Sequence, residues 1–162
     1  MALPAVDLPV SSFVNELAKE KPEILSIQCT SPVESAADKL SALSWRIPDR
    51  VRGSDGDDPS IVRHIHDLAL LLEHVSRYQE FAKLVEYSMQ QDGNRAKNHT
   101  SLNGMAMPDK LGKMLDTLKA DKMYHDEYRR FVEDVSYDTS GRTPSFEKAV
   151  ASLEELVSSI IK

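Results

Sequence analysis

Apolar residues recur at helical spacing through most of this chain. From Ser11 to Lys21, Phe13, Val14, Leu17 and Ala18 share one side of a helical wheel, which predicts a short amphipathic helix ended by Pro22. The run Ile24 to Cys29 is too short for a helix and alternates weakly, so a strand is predicted there, with no evident partner in the sequence. Ser31-Pro32-Val33-Glu34 then sets a hydroxyl at the N-cap, proline at the first helical position and a carboxylate at the third, the pattern of a capping box. Behind it Val33, Ala36, Ala37, Leu40, Leu43 and Ile47 form an apolar stripe that runs to Pro48.

Residues 49–58 hold Arg, Gly, Ser and Asp with only Val51 and the Pro59 boundary to interrupt them, and read as an exposed loop. Asp58-Pro59 restarts helical structure. Ile61, Val62, Ile65, Leu68, Ala69 and Leu72 make a second apolar face, which continues through Tyr78, Phe81, Ala82 and Val85 to about Gln91. That length exceeds one ordinary helix, and a break is expected near Ser76. Asp92 to Gly104 reads as a loop. Helices follow over Pro108 to Lys119 and Met123 to Val135, then a turn over Asp138 to Gly141. A last helix, with Thr143-Pro144 as its start signal, carries Phe146, Ala149, Val150, Leu153, Leu156, Val157 and Ile160. The expected fold is mainly α, five to six helices with at most one short strand near 24–29. Residues 1–162 form a single helical domain: 1–30 a connecting helix and strand, 31–91 the central helices and 105–162 the C-terminal helices.

Composition narrows the classes. With 41% hydrophobic and 28% charged residues the chain has enough apolar content to fold. Its formal net charge of -6 supplies no general field for nucleic acid or anionic lipid. The lone Cys29 excludes a disulfide framework and a zinc knuckle, and its apolar neighbours predict an inert buried thiol. The opening residues show no signal-peptide pattern and no apolar run reaches membrane-spanning length, so the expected location is cytoplasmic, with no membrane partner.

Several groups carry candidate chemistry, each beside an ordinary structural reading. Lys39 and Arg46, seven apart on one helix face, can neutralise phosphates or flank a solvated helix. Arg63 and Asp67 are four apart and can form a surface ion pair. His64 and His66 lie about 200° apart on a helix and cannot chelate one metal together. His66-Asp67 invites comparison with HD phosphohydrolases, but no histidine precedes His64 to complete their ligand order. Arg52-Gly53-Ser54-Asp55 echoes a phosphate turn, yet it lies in a hydrophilic loop between helices rather than at a strand-to-helix junction. Tyr124 to Arg130 mixes tyrosines with basic residues and fits either RNA stacking or a plain amphipathic helix.

Taken in order, Ser31 to Leu43 (SPVESAADKLSAL) and Arg63 to Leu71 (RHIHDLALL) resemble two signature helices of AbiEii/AbiGii-type toxin nucleotidyltransferases. Tyr128 to Val132 and Pro144 to Ala149 resemble that family's tail, so the likeness covers its C-terminal, mostly helical part from about Val10 onward. The resemblance implies that Lys39, from the lysine of the family's K-L-x-A-L helix, and Asp67, from the last aspartate of its R-D-L-x-D-L helix, belong to a nucleotidyltransferase site. Arg46 and Arg63 are expected to assist in holding the nucleotide, while His64 replaces an aspartate of the second motif. It implies nucleoside triphosphate and magnesium for the complete family enzyme, an RNA acceptor such as transfer RNA, and a cognate antitoxin.

The family's glycine turn followed by strand-borne carboxylates, which hold the metals, is not found in this sequence. No cofactor is therefore expected for this chain alone. It is expected to be inactive by itself, either truncated or completed by another chain that supplies the catalytic half and pairs with the strand at 24–29. A non-catalytic helical interaction module is the alternative, and an HD-type metal phosphohydrolase a further one.

Overall fold

A computed structural model describes residues 3–93, 100–135, 141 and 143–161. The chain runs β1 (Val6–Val10), α1 (Phe13–Ala18), β2 (Ile24–Cys29), α2 (Pro32–Arg46), a 3-10 turn (Pro59–Val62), α3 (Arg63–Ser76), α4 (Phe81–Asp92), a second 3-10 turn (Thr100–Leu102), α5 (Met107–Ala120), α6 (Met123–Val135) and α7 (Phe146–Ile160). The architecture is mainly α, as the apolar periodicity predicts. It has seven α-helices among the described residues rather than five or six, and two strands rather than at most one.

The second strand is the larger correction. β1 pairs antiparallel with β2, joining Val6 to Cys29, Asp7 to Gln28, Leu8 to Ile27 and Val10 to Ile24, with an irregularity between Leu8 and Val10 where Pro9 sits. Proline donates no ladder hydrogen bond, and a bulge accommodates it. Between the strands α1 is closed at both ends. Ser12 Oγ accepts from the Asn15 N–H (3.2 Å), and the Glu23 carboxylate accepts from the Ser12 N–H (2.8 Å) and hydroxyl. Those bonds, led by the Ser12 hydroxyl, hold the Glu23 carboxyl below the usual range. Lys19 ends α1 in a left-handed conformation (φ 56°), three residues before the expected stop at Pro22.

The helices form the core. α2 lies at its centre and packs against α3, α4 and α5, while α7 closes it against α3, α4, α5 and α6. Leu40, Leu43, Ile65, Leu111, Met114 and Leu153 are fully enclosed within one apolar cluster. Each fully buried aliphatic side chain of this kind contributes about 1.5–3 kcal/mol. α2 starts as predicted, with Pro32 in its first turn and Ser31 Oγ accepting from the Val33 N–H at 3.3 Å. Among the described residues Glu34 makes no reciprocal bond, so only the serine half of the capping box forms. The expected break near Ser76 falls at the end of α3. α7 is capped by Ser145, whose hydroxyl accepts from the Lys148 N–H at 3.3 Å, and so begins later than Thr143-Pro144 suggested. Of the predicted turn over 138–141, only Gly141 lies among the described residues, and residues 94–99 of the predicted 92–104 loop lie outside them. No helix among the described residues is long and apolar enough to cross a membrane.

Candidate nucleotide site

The apolar stripes of α2 and α3 face one another in the core, which leaves their flanking polar residues side by side at the surface. There Lys39 Nζ donates to Asp67 Oδ2 at 2.7 Å, joining positions 28 residues apart in sequence. Both side chains are partly enclosed, 26% and 35% exposed, so the pair sits on a rim rather than in free solvent. An ammonium has three donors, and one is committed to Asp67. Lys39 borders two recesses. On one side is a cleft of about 340 Å³ between α2 and α4, lined also by Glu34, Asp38, Ala42, His64, Leu84, Tyr87, Ser88, Gln91 and Asp92. On the other is a depression of about 370 Å³ formed with Thr30, Pro32, Ser35, Asp67, Leu70 and Leu71.

The other two predicted site residues are tied elsewhere. Arg46 Nη1 donates to Asp58 Oδ2 at 3.2 Å, and Arg63 Nη2 lies 3.6 Å from the same oxygen. Arg63 does not turn toward Asp67, four residues on; it bonds Asp58 and Ser60 instead. Asp58 also caps the 3-10 turn through the Ser60 N–H at 3.1 Å, and these donors, against the opposing effect of burial, hold its carboxyl below the usual range. Two arginines are thus gathered at one carboxylate near the N-terminal end of α3.

His64 lies between these cations. Burial, followed by the charges of Lys39 and Arg63, lowers its imidazole to about 4, so the ring is neutral at physiological pH. Its Nδ1 is enclosed and has no partner among the described residues. His66 points away, packed edge-on to Phe131 with ring centroids 5.6 Å apart, while its Nδ1 lies 3.5 Å from Asp67 Oδ1. The two histidines do diverge as the helical angle requires. No group of three or more His, Cys, Asp or Glu that could hold a metal occurs among the described residues. Asp67 meets Lys39 through Oδ2 and has no such group around it, so the described residues do not form a two-magnesium site.

The remaining sequence candidates have structural partners. Arg52 Nη1 donates to Asp121 Oδ2 (2.6 Å) and its Nε to Glu127 Oε1 (2.8 Å), while Arg50 bonds Asp57 (2.7 Å) and Glu127 Oε2 (2.6 Å). The Arg50 and Arg52 guanidinium groups lie 5.4 and 4.5 Å, respectively, from the Tyr124 ring centroid. Gly53 adopts φ 76°, a conformation glycine reaches without steric cost, and its N–H donates to Asp57 Oδ2 at 2.9 Å. The chain's own carboxylate therefore occupies this turn of the phosphate-like motif. Tyr124 and Tyr128 are buried rather than available for stacking; their hydroxyls donate to Ile47 O and Pro144 O. Burial, with the Asp67 charge nearby, pushes Tyr128 up to about 12. Cys29 is half-buried at the end of β2, more open than its apolar neighbours suggested.

Sequence reasoning missed α4's part in the cleft. Tyr87 and Gln91, one helical turn apart, flank the buried stripe of Phe81, Leu84 and Val85, and their i, i+4 spacing is the signal that places them on one face. Asp38 accepts from Ser88 (2.7 Å) and Asp92 from Ser41 (2.9 Å), bonds across about fifty residues that local pattern does not reveal.

No curated protein and no solved structure matches the chain. The sequence profile of the family described as Nucleotidyl transferase AbiEii toxin, Type IV TA system, matches residues 1–152 of the 162. A match over nearly the whole length leads to one conclusion: this chain belongs to the AbiEii nucleotidyl transferase toxin family of type IV toxin–antitoxin systems.

Proposed function

We propose that this chain provides the nucleotide-holding part of a toxin nucleotidyltransferase, with Lys39 binding a phosphate and Asp67 holding that ammonium at the rim. The observation that supports this reading most is the 2.7 Å contact between Lys39 Nζ and Asp67 Oδ2 beside a cleft of nucleotide dimensions. A lysine free on its stem would lose side-chain entropy on meeting a phosphate, whereas one already steered by a carboxylate loses less. Two of its donors remain for the ligand. Arg46 and Arg63, gathered on Asp58, would extend the cationic side toward further phosphate oxygens. Family membership implies a cognate antitoxin.

Transfer chemistry needs more than this. In the complete family enzyme magnesium ions would stabilise the charge of the reacting phosphate, and among the described residues no group of three or more His, Cys, Asp or Glu is placed to hold them. The metal-binding acids would come from a separate catalytic half, and the chain alone would bind nucleotide without transferring it. β2 offers a docking edge for such a half. Ile24 to Cys29 carries neither charge nor proline, and an edge without those features pairs readily with another strand.

Lys39→Ala is expected to weaken nucleoside triphosphate binding at least about tenfold in equilibrium dialysis, since a charge-assisted phosphate contact is worth about 1.5–3 kcal/mol. Unchanged affinity would sink the reading. Transfer of radiolabelled nucleotide to transfer RNA by the chain alone would sink its second half. The exposed apolar side chains of β1, α1 and β2 also favour a non-catalytic interaction module, and that reading predicts no nucleotide binding at all.

A further inference from the structure

The cleft between α2 and α4 has features that the phosphate contact does not use. Lys39 stands at its edge, so a ligand whose phosphate meets that ammonium can extend either into this cleft or into the depression beside Asp67. The depression is lined by Thr30, Pro32, Ser35, Leu70 and Leu71 and presents neither an aromatic ring nor a side-chain amide. The cleft presents both, in Tyr87 and Gln91, above an apolar floor of Ala42 and Leu84. Tyr87 is 41% exposed, which leaves ring surface open for a planar ligand to stack on. Its hydroxyl, the Gln91 amide and the Glu34 carboxylate have no partner among the described residues.

The charges give the cleft a direction. Glu34, Asp38 and Asp92 bring three carboxylates against the single ammonium of Lys39, and His64 adds no positive charge because it is neutral at physiological pH. A triphosphate would be repelled from its interior and kept at the Lys39 rim. What the interior favours is an uncharged group that donates hydrogen bonds. Asp38 and Asp92 already receive Ser88 and Ser41, while Glu34 is uncommitted. A carboxylate only accepts, so it matches an exocyclic amino group and opposes a carbonyl oxygen at the same place.

We propose that the α2–α4 cleft is the nucleobase end of the nucleotide site, and that Glu34, with Tyr87 stacking beneath the base, selects a base bearing an exocyclic amino group. This rests on the reading of Lys39 as the phosphate contact. Cytosine and uracil form the test pair: they differ at C4 by an amino group against a carbonyl, and at N3 by an acceptor against an N–H donor, so selection requires the amino group to outweigh the uracil N3–H at Glu34.

The test is a titration of the isotopically labelled full chain with CTP and, separately, UTP, followed by backbone amide shifts. CTP is expected to move amides of residues 34–42 and 84–92 and to bind about fivefold or more tightly than UTP. Glu34→Ala should close the gap between the two, and Tyr87→Ala should weaken CTP severalfold; both substitutions lie at partly or largely exposed positions, and retained amide dispersion checks their folding. Equal affinities for CTP and UTP that still depend on Lys39 would overturn base selection and leave the phosphate site standing. An unchanged CTP affinity in Tyr87→Ala would remove the base from this cleft. If neither nucleotide binds, or Lys39→Ala alters nothing, the nucleotide reading falls and this inference falls with it.

Discussion

His64 shows what the surroundings of a single side chain do to its chemistry. An imidazole held near 4 in the folded chain binds fewer protons than the same group in the unfolded chain, where it titrates near 6.5. The contribution to stability is therefore complete above pH 6.5 and is lost as pH falls through 4. Because the ring is only partly enclosed, the loss is expected to be about 1–2 kcal/mol after allowance for solvent screening. Urea midpoints should fall between pH 6.5 and 4 in the native chain, and His64→Gln should flatten that slope. A wild-type slope that the substitution leaves intact would assign the effect to other groups. At this scale Lys39 and Asp67 were singled out by resemblance to two helical motifs, and the structure brings their side chains into contact. The partners of Arg46 and Arg63 were not, since the choice between Asp58 and Asp67 depends on how the loop before α3 returns. Glu34 was read as a capping residue, and only the packing of α4 against α2 turns it toward a cleft.

Among elements, the helices were legible and the hairpin only half so. Periodicity located α2 to α7 because each buries one continuous stripe, and caps or prolines marked most of their ends. β1 was missed although Val6, Leu8 and Val10 alternate with Asp7 and Pro9; a proline within such a run signals an edge strand, and that is where it lies. The loop over 49–58 carried no apolar signal, yet it is fastened to α6 by Arg50 and Arg52 sharing Glu127. Arg50 is 5% exposed and Glu127 15%, so removing the carboxylate leaves charge in a poorly solvated place. Glu127→Ala is expected to cost about 2–3 kcal/mol in urea denaturation, against less than about 1 kcal/mol for the exposed Glu73→Ala, whose ion pair with Arg77 lies in solvent. Similar costs for the two would mean that the network is as screened as a surface pair.

Over the whole molecule, stability is unevenly distributed. The large enclosed side chains all lie outside β1, α1 and β2, and α1 has no buried residue. A two-stranded hairpin on its own is marginal in water. Hydrogen exchange is expected to be at least about a hundredfold faster at the paired amides of β1 and β2 than at Leu40, Leu43 or Leu153, because local opening of the hairpin exposes little new apolar surface. Equal protection would show that the hairpin unfolds with the helices as one unit. Leu8, Val10, Phe13, Val14, Leu17, Ile24, Leu25 and Ile27 stand in the open along this segment. Chaperones and proteases act on such surfaces, so inside a cell the chain's lifetime would track the supply of whatever shields these side chains.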